Sequence, residues 1–121
     1  MSRTRPVLEN LITDNMSEAE VFQNKTLRPI IKMQHNLLIV FFKSYLKKRK
    51  IDFSVLTAQK KRSRVKAIFT KDINFKNLNL GLIIGDFSIE EYAFYDGNSS
   101  ELNRRILQII AQRIQDSLDE I

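Results

Sequence analysis

Apolar residues in this chain recur every three or four positions, and this spacing limits the fold more than any other feature of the sequence. The clearest case is the stripe formed by Leu102, Ile106, Ile109, Ile110, Ile114 and Leu118. Such a stripe matches one face of an α-helix, which turns once in about 3.6 residues. The 121 residues include only three Gly and two Pro, too few for the many turns of a β-sandwich. We therefore expect an all-α protein.

Capping residues indicate where the helices begin. Ser17 with Glu20, and Ser88 with Glu91, match the capping box, in which Ser and Glu each bond the other's backbone N–H. We expect a compact bundle of five or six helices in one domain, 1–121. The expected helices are 7–15, 17–48, one that starts at 57 or 58, 73–84, 88–95 and 99–119.

The 17–48 helix is expected at the centre of the bundle, with the 99–119 helix packed along it. Pro29 lies inside it and has no N–H for the carbonyl of Lys25, so we expect a proline kink or a break between Lys25 and Arg28. The run Leu37–Phe42 is apolar around the whole helix, which predicts burial on all sides. Either the domain's own core or a second copy of the chain would bury it, so a homodimer is an open alternative.

The segment Leu80–Ile84 is ambiguous, because a short apolar run fits a buried strand as well as a helix. The sequence offers no second convincing strand to pair with it. We therefore expect a helix that Asp72 caps and that Gly85 ends in the left-handed conformation.

The residue inventory excludes several chemistries. The chain has no Cys, which removes disulfides, thiolate nucleophiles and thiolate zinc sites, and His35 is its single histidine. No GxSxG motif accompanies that histidine. We expect no catalytic residue, no metal and no cofactor, and we lean towards a protein that is not an enzyme.

The apolar runs are too short for a membrane protein. The longest one spans six residues, Leu37–Phe42, whereas a helix that crosses a bilayer needs about 20. The first residues show no secretory signal, because charged and polar side chains interrupt any apolar stretch. We expect a cytoplasmic protein without membrane contact.

Two segments, Phe22–Leu38 and Glu90–Ile106, resemble a group of small all-helical bacterial proteins that often carry the label glyoxalase or glyoxalase-related. The resemblance covers most of the chain and includes no catalytic motif. It implies an all-helical fold and, through the label, a glyoxalase-related enzyme. Glyoxalase I enzymes hold a divalent metal with His, Gln and Glu in paired βαβββ modules, whereas this sequence has one His and almost no strand signal.

A basic block extends from Lys43 to Lys66. It contains ten Lys or Arg and one acid, Asp52, so its charge is +9 and the rest of the chain carries −3. Such a block can neutralise phosphates, but no known nucleic-acid-binding motif and no interleaved aromatic residues accompany it. A solvated surface is therefore the favoured interpretation, and nucleic-acid binding is the alternative. The candidate nucleic-acid contacts are Lys47, Lys48, Arg49, Lys50, Lys60, Lys61, Arg62 and Arg64.

Arg28, Lys32 and His35 form a candidate anion-binding stripe. Their i, i+4, i+7 spacing places them within about 60° of one another on a helix. A carboxylate or phosphate could bind there, beside the backbone irregularity at the proline. We favour the alternative that acids such as Glu90 and Glu91 pair with the stripe. Removal of Arg28 would then leave an acid unpaired, at a cost of about 3–5 kcal/mol, and lower the melting temperature.

These observations favour a non-enzymatic interaction or scaffold protein, with a homodimer as one form of it. The alternatives are nonspecific nucleic-acid binding through the basic block and, from the resemblance, a glyoxalase-related enzyme. A small anionic ligand at the Arg28 stripe is a further expected partner.

Overall fold

The computed structural model describes residues 5, 6 and 17–121, and all regular structure in this part of the chain is helical. Seven α-helices occur in it: α1 (Glu18–Phe22), α2 (Arg28–Met33), α3 (His35–Lys48), α4 (Ala58–Lys71), α5 (Ile73–Ile84), α6 (Ile89–Asp96) and α7 (Ser99–Gln115). A π-helical turn, Gln23–Leu27, joins α1 to α2, and 3-10 turns lie at Phe53–Val55 and Leu118–Glu120. The all-α prediction is confirmed. The helix expected at 7–15 lies outside the described residues.

Most helices begin at the predicted caps. Ser88 and Glu91 form the full capping box: Ser88 Oγ accepts the Glu91 N–H at 3.1 Å, and the Ser88 N–H donates to Glu91 Oε1 at 2.7 Å. Thr57 caps α4 and Asp72 caps α5 through their side-chain oxygens. Asn98 precedes α7 without a side-chain capping bond, and its Nδ2 donates to the Phe94 carbonyl of α6.

The segment predicted as the 17–48 helix is helical and has the expected irregularity before Pro29, and it departs from α-helical geometry twice. The N–H of Arg28 bonds the carbonyl of Gln23, five residues back, which is the hydrogen bond of a π turn. This wider turn lies directly before Pro29, in the region predicted to kink. The second departure, at Gln34, has φ −92° and ψ 10° and separates α2 from α3.

The centre of the bundle is α7, not the 17–48 segment. α7 packs against α2 to α6 and against the π turn. Four residues of its predicted stripe are fully buried: Leu102, Ile106, Ile110 and Ile114. Ile109 is only half-buried, and Leu118 lies beyond the helix in a 3-10 turn. The fold therefore stands on one amphipathic helix whose other faces remain available for polar contacts.

The run Leu37–Phe42 is not buried on all sides. Leu38, Ile39 and Phe42 lie in the core, but Val40 is 54% exposed. Phe42 packs in an aromatic cluster whose other members are Phe53, Phe69 and Phe75. The domain's own core thus covers one face of α3, and the face that carries Val40 meets solvent.

The helix predicted over 73–84 is confirmed as α5, so the strand alternative for Leu80–Ile84 is wrong. The expected left-handed Gly85 is also wrong, because its φ is −60° and its N–H bonds the carbonyl of Gly81 as in a continuing helix. Within residues 5, 6 and 17–121, no helix combines the length and the apolar character that crossing a membrane requires.

Candidate functional site

The predicted nucleic-acid contacts lie at the end of α3, just after it, and on α4. We call this set the basic surface: Lys47, Lys48, Arg49, Lys50, Lys60, Lys61, Arg62 and Arg64. Lys61 is half-buried and the others are exposed. In the described part of the chain, Arg49 is the one member that forms a salt bridge, at 2.8 Å to Asp72. The other cations have no carboxylate partner among residues 5, 6 and 17–121, and all of them except Lys61 are exposed.

Arg49 has a structural role instead. Its Nη2 donates to Asp72 Oδ2 at 2.8 Å, and the Tyr45 hydroxyl donates to the same oxygen at 2.8 Å. The guanidinium also lies over the Tyr45 ring, 5.1 Å from its centroid. The backbone N–H of Phe75, followed by Tyr45 and Arg49, holds the pKa of Asp72 below its ordinary value. Arg49 thus ties α3 to the start of α5.

The three residues of the predicted anion stripe have different surroundings in the structure. Arg28 is exposed, and its Nε donates to Asn24 Oδ1 at 3.0 Å. Lys32 is exposed on α2. His35 Nε2 lies 3.0 Å from both carboxylate oxygens of Glu120, and its Nδ1 lies 3.3 Å from an Nη of Arg113. Arg28 bonds an amide of its own segment, whereas His35 bonds the chain's C-terminal turn and α7.

The acids expected to pair with the stripe do not do so. Glu91 pairs with Arg5 instead, through Oε2 to Nη1 at 2.7 Å and Oε1 to Nη2 at 2.9 Å. This contact lowers the pKa of Glu91 and raises that of Arg5. Glu90 is exposed and forms no salt bridge with the described residues, and Arg28 likewise has no carboxylate partner among them.

Arg28 instead shares a cleft with two arginines of α7. The cleft lies between the π turn and α7 and has a volume of about 440 Å³. We call it the arginine cleft. Its lining residues are Gln23, Arg28, Arg105, Gln108, Ile109, Gln112, Arg113, Asp116 and Ser117. Lys32 is not part of it, and His35 reaches it only through the contact with Arg113.

The arginines of the cleft differ in how they are held. Arg105 is held at all three of its nitrogens, because Glu101 accepts from its Nε and Nη2 and Gln23 accepts from its Nη1 at 2.8 Å. The Nε of Arg113 is excluded from solvent and has no hydrogen-bond partner among the described residues. The cleft therefore contains one immobilised cation and two that retain N–H groups for a ligand.

The arrangement supports noncovalent recognition of anions. Within residues 5, 6 and 17–121, no group of three or more His, Cys, Asp or Glu is placed to hold a metal ion. No protein-family model, curated protein or solved structure matches this chain.

Proposed function

We propose that this chain is a non-enzymatic interaction domain that binds nucleic acid through its basic surface, without sequence preference. The supporting observation is the exposure of the cations on the end of α3 and on α4, of which Arg49 alone is paired within the described residues. Cations that have no partner in the fold sacrifice no internal contact when they meet phosphates. Each phosphate that they neutralise also releases counterions, which favours association.

Contacts to the phosphate backbone fit this surface better than contacts to bases. The side chains that stack on bases are commonly aromatic. Tyr45, the aromatic residue nearest to the lysines at the end of α3, is covered by Arg49 and bonded to Asp72. The basic surface therefore offers charge without a stacking platform, which is the pattern of nonspecific binding.

The salt dependence of binding to duplex DNA tests this proposal. If about six phosphates are engaged, log affinity should fall with log salt concentration at a slope of about −5. The triple substitution Lys60→Gln, Lys61→Gln and Arg64→Gln should weaken binding. If each lysine or arginine contacts one phosphate, it should also reduce the slope by about 2.7.

A second triple variant controls for net charge: Lys25→Gln, Lys32→Gln and Arg104→Gln remove three exposed cations that lie outside the basic surface. This variant should bind DNA nearly as tightly as the wild type. A slope near zero for the wild type, or equal weakening in both triple variants, would contradict the proposal.

Self-association is a second candidate, favoured by the exposed apolar face of α3. Val40 is 54% exposed and Leu78 is 52% exposed, and both line a groove of about 490 Å³ between α3 and α5. A second copy of the chain would remove this apolar surface from water. Analytical ultracentrifugation should then show a dimer that Val40→Glu dissociates. A monomer at all concentrations would exclude this form of interaction.

The glyoxalase-related alternative stays a prediction from the resemblance. It requires a divalent metal, so turnover of methylglyoxal should increase when Zn²⁺ or Ni²⁺ is added to metal-free protein. No increase with either metal would remove the alternative.

A further inference from the structure

We propose that the arginine cleft is a binding site for a small polar molecule that carries a phosphate group, and that it acts independently of the basic surface. The proposal depends on four features of the cleft. These are its unused hydrogen-bond donors, its uncompensated charge, the π turn that forms one wall, and its size.

The unused donors belong to Arg28 and Arg113. A guanidinium has five N–H donors in a planar fork. Arg28 uses its Nε for Asn24, and Arg113 uses one Nη for His35, whereas the buried Nε of Arg113 has no partner among the described residues. Both Nη groups of Arg28 and the second Nη of Arg113 have no hydrogen-bond partner among the described residues, and a charged N–H of this kind forms a stronger bond to an anionic oxygen than a neutral donor does.

The charge at the cleft is only partly compensated by acids. Glu101 pairs with Arg105, and the Glu120 carboxylate bonds His35 Nε2, so it is linked to Arg113 only through the imidazole ring. Asp116 lines the cleft, where its Oδ1 accepts from Gln112 at 3.0 Å. In the described residues, no carboxylate lies within salt-bridge distance of Arg28 or Arg113, so both guanidiniums are free to pair with an anion.

The π turn provides one wall of the cleft. Its hydrogen bond joins the N–H of Arg28 to the carbonyl of Gln23, and both side chains line the cleft. In a regular α-helix, residues five apart point about 140° away from each other. The wider π turn reduces this angle and brings the two side chains to the same side. Single π turns within helices are frequent at functional sites.

The size and the lining of the cleft indicate the ligand class. A volume of about 440 Å³ exceeds that of a bare ion and lies within the range of small-molecule sites. Arg28 and Arg113 approach from opposite walls, which suits the tetrahedral oxygens of a phosphate better than one flat carboxylate. The amides of Gln23, Gln108 and Gln112 both donate and accept, so the rest of the ligand should be rich in hydroxyl groups, like a sugar.

Isothermal titration calorimetry of the full chain with ribose 5-phosphate tests this site. We expect saturable binding that is tighter than for inorganic phosphate, ribose or succinate. Arg28→Gln and Arg113→Gln should each weaken it about tenfold or more, because each removes a charged donor to the phosphate. Arg28 is exposed and has no carboxylate partner in the described residues, so its variant should fold normally.

Lys32→Gln is the matched control, since it removes a cation one turn from Arg28 but outside the cleft. It should change the dissociation constant less than twofold. Absence of saturable binding, equal weakening by Lys32→Gln, or equal affinity for succinate would overturn the proposal.

The triple substitution Lys60→Gln, Lys61→Gln and Arg64→Gln should leave binding of ribose 5-phosphate unchanged. This result makes the two proposals separable, because failure of DNA binding does not predict failure at the cleft. A loss of ribose 5-phosphate binding in this variant would contradict the independence of the two regions.

Discussion

The basic surface and the arginine cleft both present cationic side chains, but they arrange them differently. The basic surface gathers cations from one short stretch of sequence and exposes them on the end of α3 and on α4. The cleft takes Arg28 from one part of the chain and Arg105 and Arg113 from another, and holds them between a π turn and α7. High charge density characterises the first region, and fixed geometry characterises the second.

This difference separates two kinds of anion recognition. Exposed flexible lysines and arginines contribute mainly through counterion release, which is sensitive to salt and tolerant of the partner's shape. An arginine that its neighbours already hold, such as Arg113 beside His35, loses less side-chain entropy on binding and selects for shape. The predictions below test how strongly each region depends on the fold.

The largest effect is expected from Ile110→Ala, which tests how much the core face of α7 contributes to the stability of the fold. Ile110 is fully buried on the helix that provides one wall of the cleft. Truncation leaves a cavity in the core, so the free energy of unfolding should fall by about 2–5 kcal/mol in chemical denaturation.

Ile109→Ala is the matched comparison, because Ile109 is half-buried and lines the cleft itself. It should cost about 1 kcal/mol, since less apolar surface loses its burial. Equal costs for the two variants would mean that the core face and the cleft face of α7 are not distinct.

An intermediate effect on stability is expected from Glu91→Gln. This variant measures how much the salt bridge between Glu91 and Arg5 contributes to the free energy of unfolding. The contact with Arg5 lowers the pKa of Glu91 from its ordinary value of 4.5. A lowered pKa in the folded state stabilises the protein above the unfolded-state pKa, and this contribution is lost as the pH falls through the folded-state value. At pH 7, Glu91→Gln should therefore reduce the free energy of unfolding by about 1 kcal/mol.

Measurements of the free energy of unfolding from pH 7 down to pH 3 test the direction of this pH dependence. The difference between the wild type and Glu91→Gln should shrink as the solution becomes acidic below about pH 4.5. A difference that stays constant across this range would show that the Arg5 contact contributes nothing through the charge of Glu91.

The smallest effect is expected from Arg28→Ala. The sequence alone predicts a lowered melting temperature for this variant, because it suggests that a buried acid is the partner of Arg28. In the structure Arg28 is exposed and bonds the Asn24 amide, so we now expect the free energy of unfolding to change by less than about 0.5 kcal/mol. Lys47→Ala on the basic surface should likewise cause only a small change in the melting temperature. A fall of several kcal/mol in the free energy of unfolding of Arg28→Ala would instead support a structural role for Arg28.

Local signals explain what could be predicted from the sequence. Thr57, Asp72 and Ser88 mark helix starts because the capping bond joins residues two or three apart, which a sequence shows directly. The basic surface is predicted for the same reason, because its cations lie close together in the sequence. The π turn before Pro29 was predicted only as an irregularity, since the missing N–H locates a defect without saying how the backbone absorbs it.

The cleft could not be predicted because it forms through contacts distant in sequence. Arg105 and Arg113 lie on a polar face of α7 that resembles any solvated helix face, and nothing near Arg28 points to them. A partial signal exists, because Arg105, Gln108 and Gln112 follow the i, i+3, i+7 spacing beside the apolar stripe. Only the packing of α7 against the π turn shows that this face meets Arg28.

The contact between His35 and Arg113 makes the imidazole a spectroscopic reporter of the cleft. A guanidinium can only donate, so Nδ1 of His35 must accept from Arg113, and the ring proton then resides on Nε2, which donates to Glu120. Because His35 is the single histidine of the chain, its two ring nitrogens give nitrogen-15 NMR signals without overlap from other histidines. A ligand that draws Arg113 away should shift the Nδ1 signal more than the Nε2 signal, so occupancy of the cleft can be followed in protein enriched in nitrogen-15, without an attached probe.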